Sequence, residues 1–76
     1  MNNRRREKLR EAQTLLSTAS NIVQNALDQE EDCFDNVPEN LQDTDRTQKM
    51  EEAIESLEEA IESIDNATEC IGKACE

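Results

Sequence analysis

The chain has 76 residues, a formal net charge of -11 and 36% charged residues, with one Gly, one Pro, one aromatic residue and no His, Trp or Tyr. This length allows one domain with a small core. The chain contains few of the residues from which β-sheets, aromatic stacking surfaces and general-base sites are built. The remaining residues are mainly helix formers, so we expect an all-α protein.

An apolar heptad pattern runs through the first third of the chain, which indicates an ordered helix rather than a disordered acidic segment. The pattern predicts helix 1 from about residue 4 to about residue 32. Leu15 and Ile22, at position g, and Leu27, at position e, flank the predicted contact line between helices, which we call the seam. The predicted seam positions a and d, counted from Leu9, are Leu9, Ala12, Leu16, Ala19, Val23 and Ala26.

The segment 33–43, CFDNVPENLQD, contains the only proline and interrupts the heptads. We expect it to form the bend of a hairpin, with Asp35 and Asn36 as turn formers and one helical turn starting at Pro38. The apolar residues of this segment should fold back over the open end of the helix pair: Phe34, Val37 and Leu41.

Helix 2 is predicted over about residues 44–74, beginning either with a capping-box variant at Asp45 and Gln48 or with Thr44 as the N-cap. It is written in consecutive heptads, in which alanine holds every d position. A large residue at a and alanine at d predict a close antiparallel pair with an alanine-rich seam. The a positions are Met50, Leu57, Ile64 and Ile71, and the d positions are Ala53, Ala60, Ala67 and Ala74.

The apolar stripe of this predicted pair is wider than a lone hairpin covers. We expect a second copy to cover the remainder, which gives a homodimeric four-helix bundle. A monomer that uses the stripe for a different partner is the alternative. The predicted dimer-interface residues are Leu15, Ile22, Leu27, Ile54 and Ile61.

Helix 2 carries most of its acidic residues at positions b, c and f, where they form what we call the acidic ridge. Carboxylates spaced i to i+4 on a helix repel one another, and the axial spacing of about 3.4 Å per charge is close to that of one DNA strand. The pattern therefore favours a DNA mimic that binds a basic surface of a partner protein; the alternative is a solvated face that confers solubility. The ridge and predicted partner-binding residues are Glu51, Glu52, Glu55, Glu58, Glu59, Glu62, Asp65 and Glu69.

Other chemistry has little support in the sequence. The ridge carboxylates lie off the apolar face and the chain has no His, so we expect neither catalysis nor a cofactor. The oxygen-rich stretch 28–35, DQEEDCFD, lacks the glycine and ligand spacing of a calcium loop, so we expect no metal site beyond incidental weak binding. Cys33, Cys70 and Cys75 form no CxxC pair. They are expected to be small, at least half-buried apolar residues, with an intermolecular disulfide or redox role as the alternative.

Basic residues concentrate at the start of helix 1, where the helix dipole disfavours them. In an antiparallel hairpin this end lies beside the end of helix 2, so we expect Glu69 and Glu76 to receive the cations. The alternative, nucleic-acid binding, is opposed by the net charge. No segment has the apolar length of a membrane span or signal peptide, which favours a cytoplasmic protein without membrane contact. The basic cluster is Arg4, Arg5, Arg6, Lys8 and Arg10.

The bend Val-Pro-Glu-Asn-Leu-Gln at 37–42 follows Phe34 and Asn36 and precedes Arg46 and the run Met-Glu-Glu-Ala-Ile at 50–54. With these motifs, about half of the chain resembles small acidic proteins of phages and mobile elements in Gram-positive gut bacteria. The resemblance implies a mobile-element origin and a helical hairpin. By analogy with acidic phage proteins as a class, including anti-CRISPR proteins, it implies inhibition of host machinery such as a CRISPR nuclease. Thr47 stands where the family has a glycine after the arginine.

Overall fold

The computed structural model describes residues 1–41 and 44–76 and consists of two long helices. Helix α1 spans Asn3–Asp35 and helix α2 spans Asp45–Ala74, with a 3-10 turn at Glu39–Leu41 between them. Helix α1 continues past its predicted end near residue 32, so Cys33 and Phe34 are helical and the predicted start of the bend is wrong. Gln42 and Asp43, which end the predicted bend, lie outside the described residues.

Each helix begins with a side-chain cap that satisfies a free backbone N–H. At α1, the Oδ1 atom of Asn2 accepts a hydrogen bond from the backbone N–H of Arg5 at 2.9 Å. At α2, the Thr44 hydroxyl accepts from the Thr47 N–H at 3.4 Å, and the Thr47 hydroxyl accepts from the Thr44 N–H at 3.1 Å. This reciprocal capping box confirms Thr44 as the N-cap, and the predicted variant at Asp45 and Gln48 is wrong.

The bend is held by backbone hydrogen bonds. The Val37 N–H donates to the Phe34 carbonyl at 3.2 Å, and the Leu41 N–H donates to the Pro38 carbonyl at 2.9 Å. The second bond closes the 3-10 turn, which confirms the helical turn predicted near Pro38. Phe34 and Val37 are half-buried, but Phe34 lies within α1 instead of folding back over the end of the pair, and Leu41 is 49% exposed.

The two helices pack antiparallel. The side-chain amide of Gln13 donates to the backbone carbonyl of Thr68 at 3.1 Å across the pair. Near the chain ends, Arg6 and Arg10 line one depression together with Cys75 and Glu76. The start of α1 therefore lies beside the end of α2, and the molecule extends over 59 × 15 × 13 Å.

The seam follows the alternating three- and four-residue spacing of a left-handed coiled coil, and it uses heptad positions a and e of both helices. These positions are buried or half-buried throughout. On α1 they are Arg6, Leu9, Gln13, Leu16, Ser20, Val23, Leu27, Glu30 and Phe34. On α2 they are Thr47, Met50, Ile54, Leu57, Ile61, Ile64, Thr68, Ile71 and Cys75.

The seam is tightest in the half near the bend. Counting outward from the Gln13 contact at equal helical rise places Leu27 level with Ile54, and Phe34 level with Thr47. Leu27 is 5% exposed and Thr47 is 1% exposed, and they are the only buried residues in the described part of the chain, the others being half-buried or exposed. Toward the chain ends, polar residues such as Gln13 occupy position e of α1, the heptad position that Leu27 holds near the bend.

The alanines at position d lie beside the seam and are not part of the contact along the whole length of the helix pair. The alanines at d are half-buried in part of each helix, but Ala26, Ala67 and Ala74 are exposed. The e column holds the larger side chains of Leu27, Ile54 and Ile61, and burying these removes more apolar area from water than burying alanine does. Each helix therefore packs against the other through positions a and e rather than through positions a and d.

Candidate functional site

The acidic ridge occupies the surface of α2 that is turned away from α1. All of its carboxylates belong to exposed residues. Positions b and f lie on the flank of the helix away from position d, and position c lies on the surface farthest from α1. From Glu51 to Glu69 the ridge is about 27 Å long at 1.5 Å rise per residue. The sequence-predicted ridge is thus brought onto one continuous helical surface.

Few cations accompany these carboxylates. Within the described residues, the ion pairs shorter than 4.0 Å are Lys73 with Glu69 and Lys8 with Glu11, each at 3.7 Å and each within one helix. Only the first of them touches the ridge, at its end. Within the ridge, Glu55 has the carboxylates of Glu51, Glu52, Glu58 and Glu59 three or four residues away on the same helix. The middle of the ridge therefore carries uncompensated charge.

The acidic surface widens near the bend, which the sequence reasoning missed. Both helices use heptad positions a and e for the seam, so a twofold axis perpendicular to the plane of the two helices relates them. This axis keeps the rows of residues at positions b and f, which we call columns b and f, on one side of the hairpin. On α1 these columns hold Asp28, Glu31 and Asp35 near the bend. The sequence signal for this wider acidic surface is that these residues occupy heptad positions b and f, as most of the ridge residues on α2 do.

Arg6 and Arg10 of the basic cluster lie beside the end of α2, as predicted, without forming the predicted ion pairs. Arg6 donates from Nη1 to Oδ1 of its neighbour Asn3 at 3.2 Å, and its buried Nε has no hydrogen-bond partner in the described part of the chain. Glu76 lines the same depression as Arg6. No pair within 4.0 Å joins the two helices among residues 1–41 and 44–76.

The predicted dimer-interface residues separate into two groups. Leu15 and Ile22 are 65% and 64% exposed. Leu27 is buried in the seam, so its assignment to a dimer interface is wrong: it faces α2 within the hairpin. Ile54 and Ile61 are half-buried seam residues of the same kind. Only Leu15 and Ile22 remain as large apolar residues of this set that a second protein chain can cover.

The remaining candidate chemistry is sparse. Cys33 and Cys70 are exposed and Cys75 is half-buried, and all are free thiols, so the expectation of at least half-burial is wrong for the first two. Over residues 1–41 and 44–76, no group of three or more Cys, Asp or Glu residues is arranged to hold a metal ion. Neither described helix combines the length and apolar character that crossing a membrane requires.

The fold and surface define an antiparallel two-helix hairpin with one acidic side. Comparisons with protein-family models, curated proteins and solved structures found no match to this chain. Its function is therefore inferred from the surfaces of the hairpin itself.

Proposed function

We propose that this hairpin is a non-enzymatic binding module that presents the acidic ridge to a basic surface of a partner protein. The partner is a nucleic-acid-binding protein, such as a CRISPR nuclease of a host cell, and the module acts as its inhibitor or regulator in the cytoplasm. A phage or mobile-element origin agrees with this role. The observation that carries the proposal is the run of exposed, uncompensated carboxylates along one side of α2.

The first support is energetic. Like charges at i to i+4 destabilise a helix by a few tenths of a kcal/mol per pair, and alternating signs would stabilise it by similar amounts. Glu51, Glu55 and Glu59 follow one another at this spacing without a cation between them. A surface that served only solubility would tolerate interspersed lysines, so the unbroken acidic run points to recognition of positive charge.

The second support is geometric. A helix held along its length by a coiled-coil seam keeps its carboxylates at fixed positions, so little conformational entropy is lost when a basic groove binds them. At about 3.4 Å of helix axis per charge, the ridge matches the axial charge density of one strand of duplex DNA. Such a surface competes with nucleic acid for a basic groove, and its association is fast at low salt and slower at high salt.

A competition assay tests this function. The tagged hairpin is used to capture host proteins, and each captured nucleic-acid-binding protein is then mixed with fluorescent DNA and the hairpin. We expect the wild-type chain to displace DNA. The quadruple variant Glu55→Lys, Glu58→Lys, Glu59→Lys, Glu62→Lys should not displace it while keeping its helicity.

The control carries the same change in net charge at exposed carboxylates outside the ridge and its extension near the bend, as Glu7→Lys, Glu11→Lys, Asp32→Lys and Glu39→Lys. It should retain most of the competition, because the ridge is intact. Equal loss of competition in both variants would show that net charge, and not the ridge, drives binding. Unchanged displacement by the ridge variant would refute the proposed function.

A second candidate function is self-association into a four-helix bundle that organises a larger complex, with acidity conferring only solubility. The exposure of Leu15 and Ile22 favours it. A closely packed, alanine-rich contact belongs to this candidate, because alanines at position d border the same side of α1 as these two residues. The two functions are compatible, since they use different sides of the hairpin.

A further inference from the structure

Among residues 1–41 and 44–76, one side of the hairpin has no carboxylates. It consists of columns d and g of both helices, which the twofold relation described above brings to the same side, opposite columns b and f. We call it the carboxylate-free face. On α1 it comprises Arg5, Lys8, Ala12, Leu15, Ala19, Ile22, Ala26, Gln29 and Cys33. On α2 it comprises Arg46, Lys49, Ala53, Ser56, Ala60, Ser63, Ala67, Cys70 and Ala74.

The charge distribution favours this face over the acidic side for contact between two copies of the chain. The sequence contains 19 Asp and Glu residues against 8 Lys and Arg, yet the face bears Arg and Lys at its two ends and no Asp or Glu. Its centre is formed by alanines, serines, Leu15 and Ile22. Contact through positions b and f would instead set the carboxylates of two chains, each with a net charge of -11, against one another. Contact through this face directs both acidic ridges outward.

The exposed area indicates that a lone hairpin is incompletely covered. Its accessible surface is 5938 Å² for a mass of 8.7 kDa. A compact monomer of this mass exposes roughly 4,700 Å² by the usual scaling, so the excess is about 1,200 Å². The long side of the molecule, 59 Å by 15 Å, has a footprint of about 900 Å², close to the roughly 800 Å² per partner that a stable dimer buries.

The two helices of the face have complementary shapes. Column g of α1 provides large exposed residues, Leu15 and Ile22, whereas the corresponding column of α2 provides small ones, Ser56, Ser63 and Cys70. If a second copy docks with its bend at the same end, α1 of each copy packs antiparallel on α2 of the other. At equal helical rise Leu15 then lies level with the Ser63 to Ala67 region of the second copy, and Ile22 with the Ser56 to Ala60 region.

We propose that a second copy of this chain binds the carboxylate-free face, with both bends at one end, and that Leu15 and Ile22 of each copy insert between the small residues of the other copy's α2. The alternative twofold arrangement, with bends at opposite ends, stacks α1 on α1 and α2 on α2. It sets large residues against large and small against small, which leaves a gap along the α2 contact. The proposal deepens the second candidate function and does not depend on the ridge.

The oligomeric state tests whether the face is the interface. Sedimentation equilibrium at micromolar concentration should give the wild-type chain about twice its 8.7 kDa mass. Leu15→Glu with Ile22→Glu should give a helical monomer. The matched control, Thr14→Glu with Asn21→Glu, changes the exposed neighbours on the opposite side by the same charge and should remain dimeric. A monomeric wild-type chain, or equal dissociation of both variants, would overturn the proposal.

A distance measurement tests the orientation. Asn40→Cys, placed in a chain whose native cysteines are changed to serine, positions one spin label at each bend. With both bends at one end the labels are separated by roughly 20 Å, the scale of a bundle cross-section. With bends at opposite ends the separation approaches the 59 Å length of the molecule. A dimer with the long distance would overturn the insertion of Leu15 and Ile22 into α2. Loss of DNA competition in the ridge variant would leave both results unchanged, so the two proposals fail separately.

Discussion

Reversing the charge of Glu55 tests whether the acidic ridge destabilises its own helix. Glu55 is exposed, and carboxylates lie three and four residues away on both sides: Glu51, Glu52, Glu58 and Glu59. No lysine or arginine within 4.0 Å of it appears among the described residues. The substitution Glu55→Lys turns all of these neighbouring contacts from repulsive to attractive.

The magnitude follows from the number of contacts. A repulsive pair costs about 0.25 kcal/mol and an attractive pair gains about as much, so each reversed pair contributes about 0.5 kcal/mol, or about 2 kcal/mol for the set. The Glu55→Gln variant removes repulsion without adding attraction and should gain about 1 kcal/mol by the same reasoning. For a domain of this size, 1 kcal/mol raises Tm by about 4–8 °C.

Thermal unfolding followed by circular dichroism at low salt measures both gains. Because exposed ion pairs are screened by salt, the advantage of Glu55→Lys should shrink strongly in 1 M NaCl. The variant Lys73→Glu is an opposite-sign control, since it breaks the 3.7 Å pair with Glu69 and places a negative charge in the last turn of α2. It should lower Tm. A Glu55→Lys chain that is no more stable than wild type at low salt would refute the claim that the ridge costs stability.

Three further substitutions test the seam and the cap by denaturant unfolding. Leu27→Ala should cost about 2–4 kcal/mol, because it opens a cavity at the most buried apolar position, and a cost below 1 kcal/mol would contradict that burial. Thr47→Val should cost about 1–2 kcal/mol, because it removes the hydroxyl that donates to the Thr44 carbonyl at 2.8 Å, and an unchanged midpoint would show the cap to be unimportant. Gln13→Leu should stabilise the hairpin by about 1 kcal/mol, because the Thr68 carbonyl keeps its bond within α2; destabilisation would show that the hydrogen bond across the helices outweighs apolar packing.

The two helices and the bend were predictable because their signals are local. Heptads starting at Leu9 and Met50 indicate long amphipathic helices whatever they contact, and Pro38 marks the break between them. The end of α1 was misplaced because its last seam residue, Phe34, follows a polar one, Glu30, and the apolar period fades at that point. Helical structure there is maintained by packing against α2, which sequence periodicity does not report.

The direction in which the helices face each other was not predictable from periodicity. Positions d and e both border position a, and the repeated alanines at d looked more regular than a column that mixes Gln13 and Ser20 with Leu27. The larger residues determine the outcome, because each additional buried CH₂ contributes about 0.8 kcal/mol. The same shift explains the error at Leu27, and it leaves the d and g columns free to form the carboxylate-free face.

If the dimer and the ridge both function as proposed, the assembly is bivalent. The carboxylate-free face and the ridge lie on opposite sides of each hairpin, so a dimer carries two ridges that point away from each other. Two such surfaces cannot enter one groove, but they can bridge two partner molecules, and bridging raises apparent affinity on a dense surface by about 10²-fold or more. The monomeric variant Leu15→Glu with Ile22→Glu should therefore bind an isolated partner in solution as tightly as wild type does. On a sensor densely coated with partner it should dissociate much faster, and equal dissociation of the two chains from that sensor would show that the ridges act one at a time.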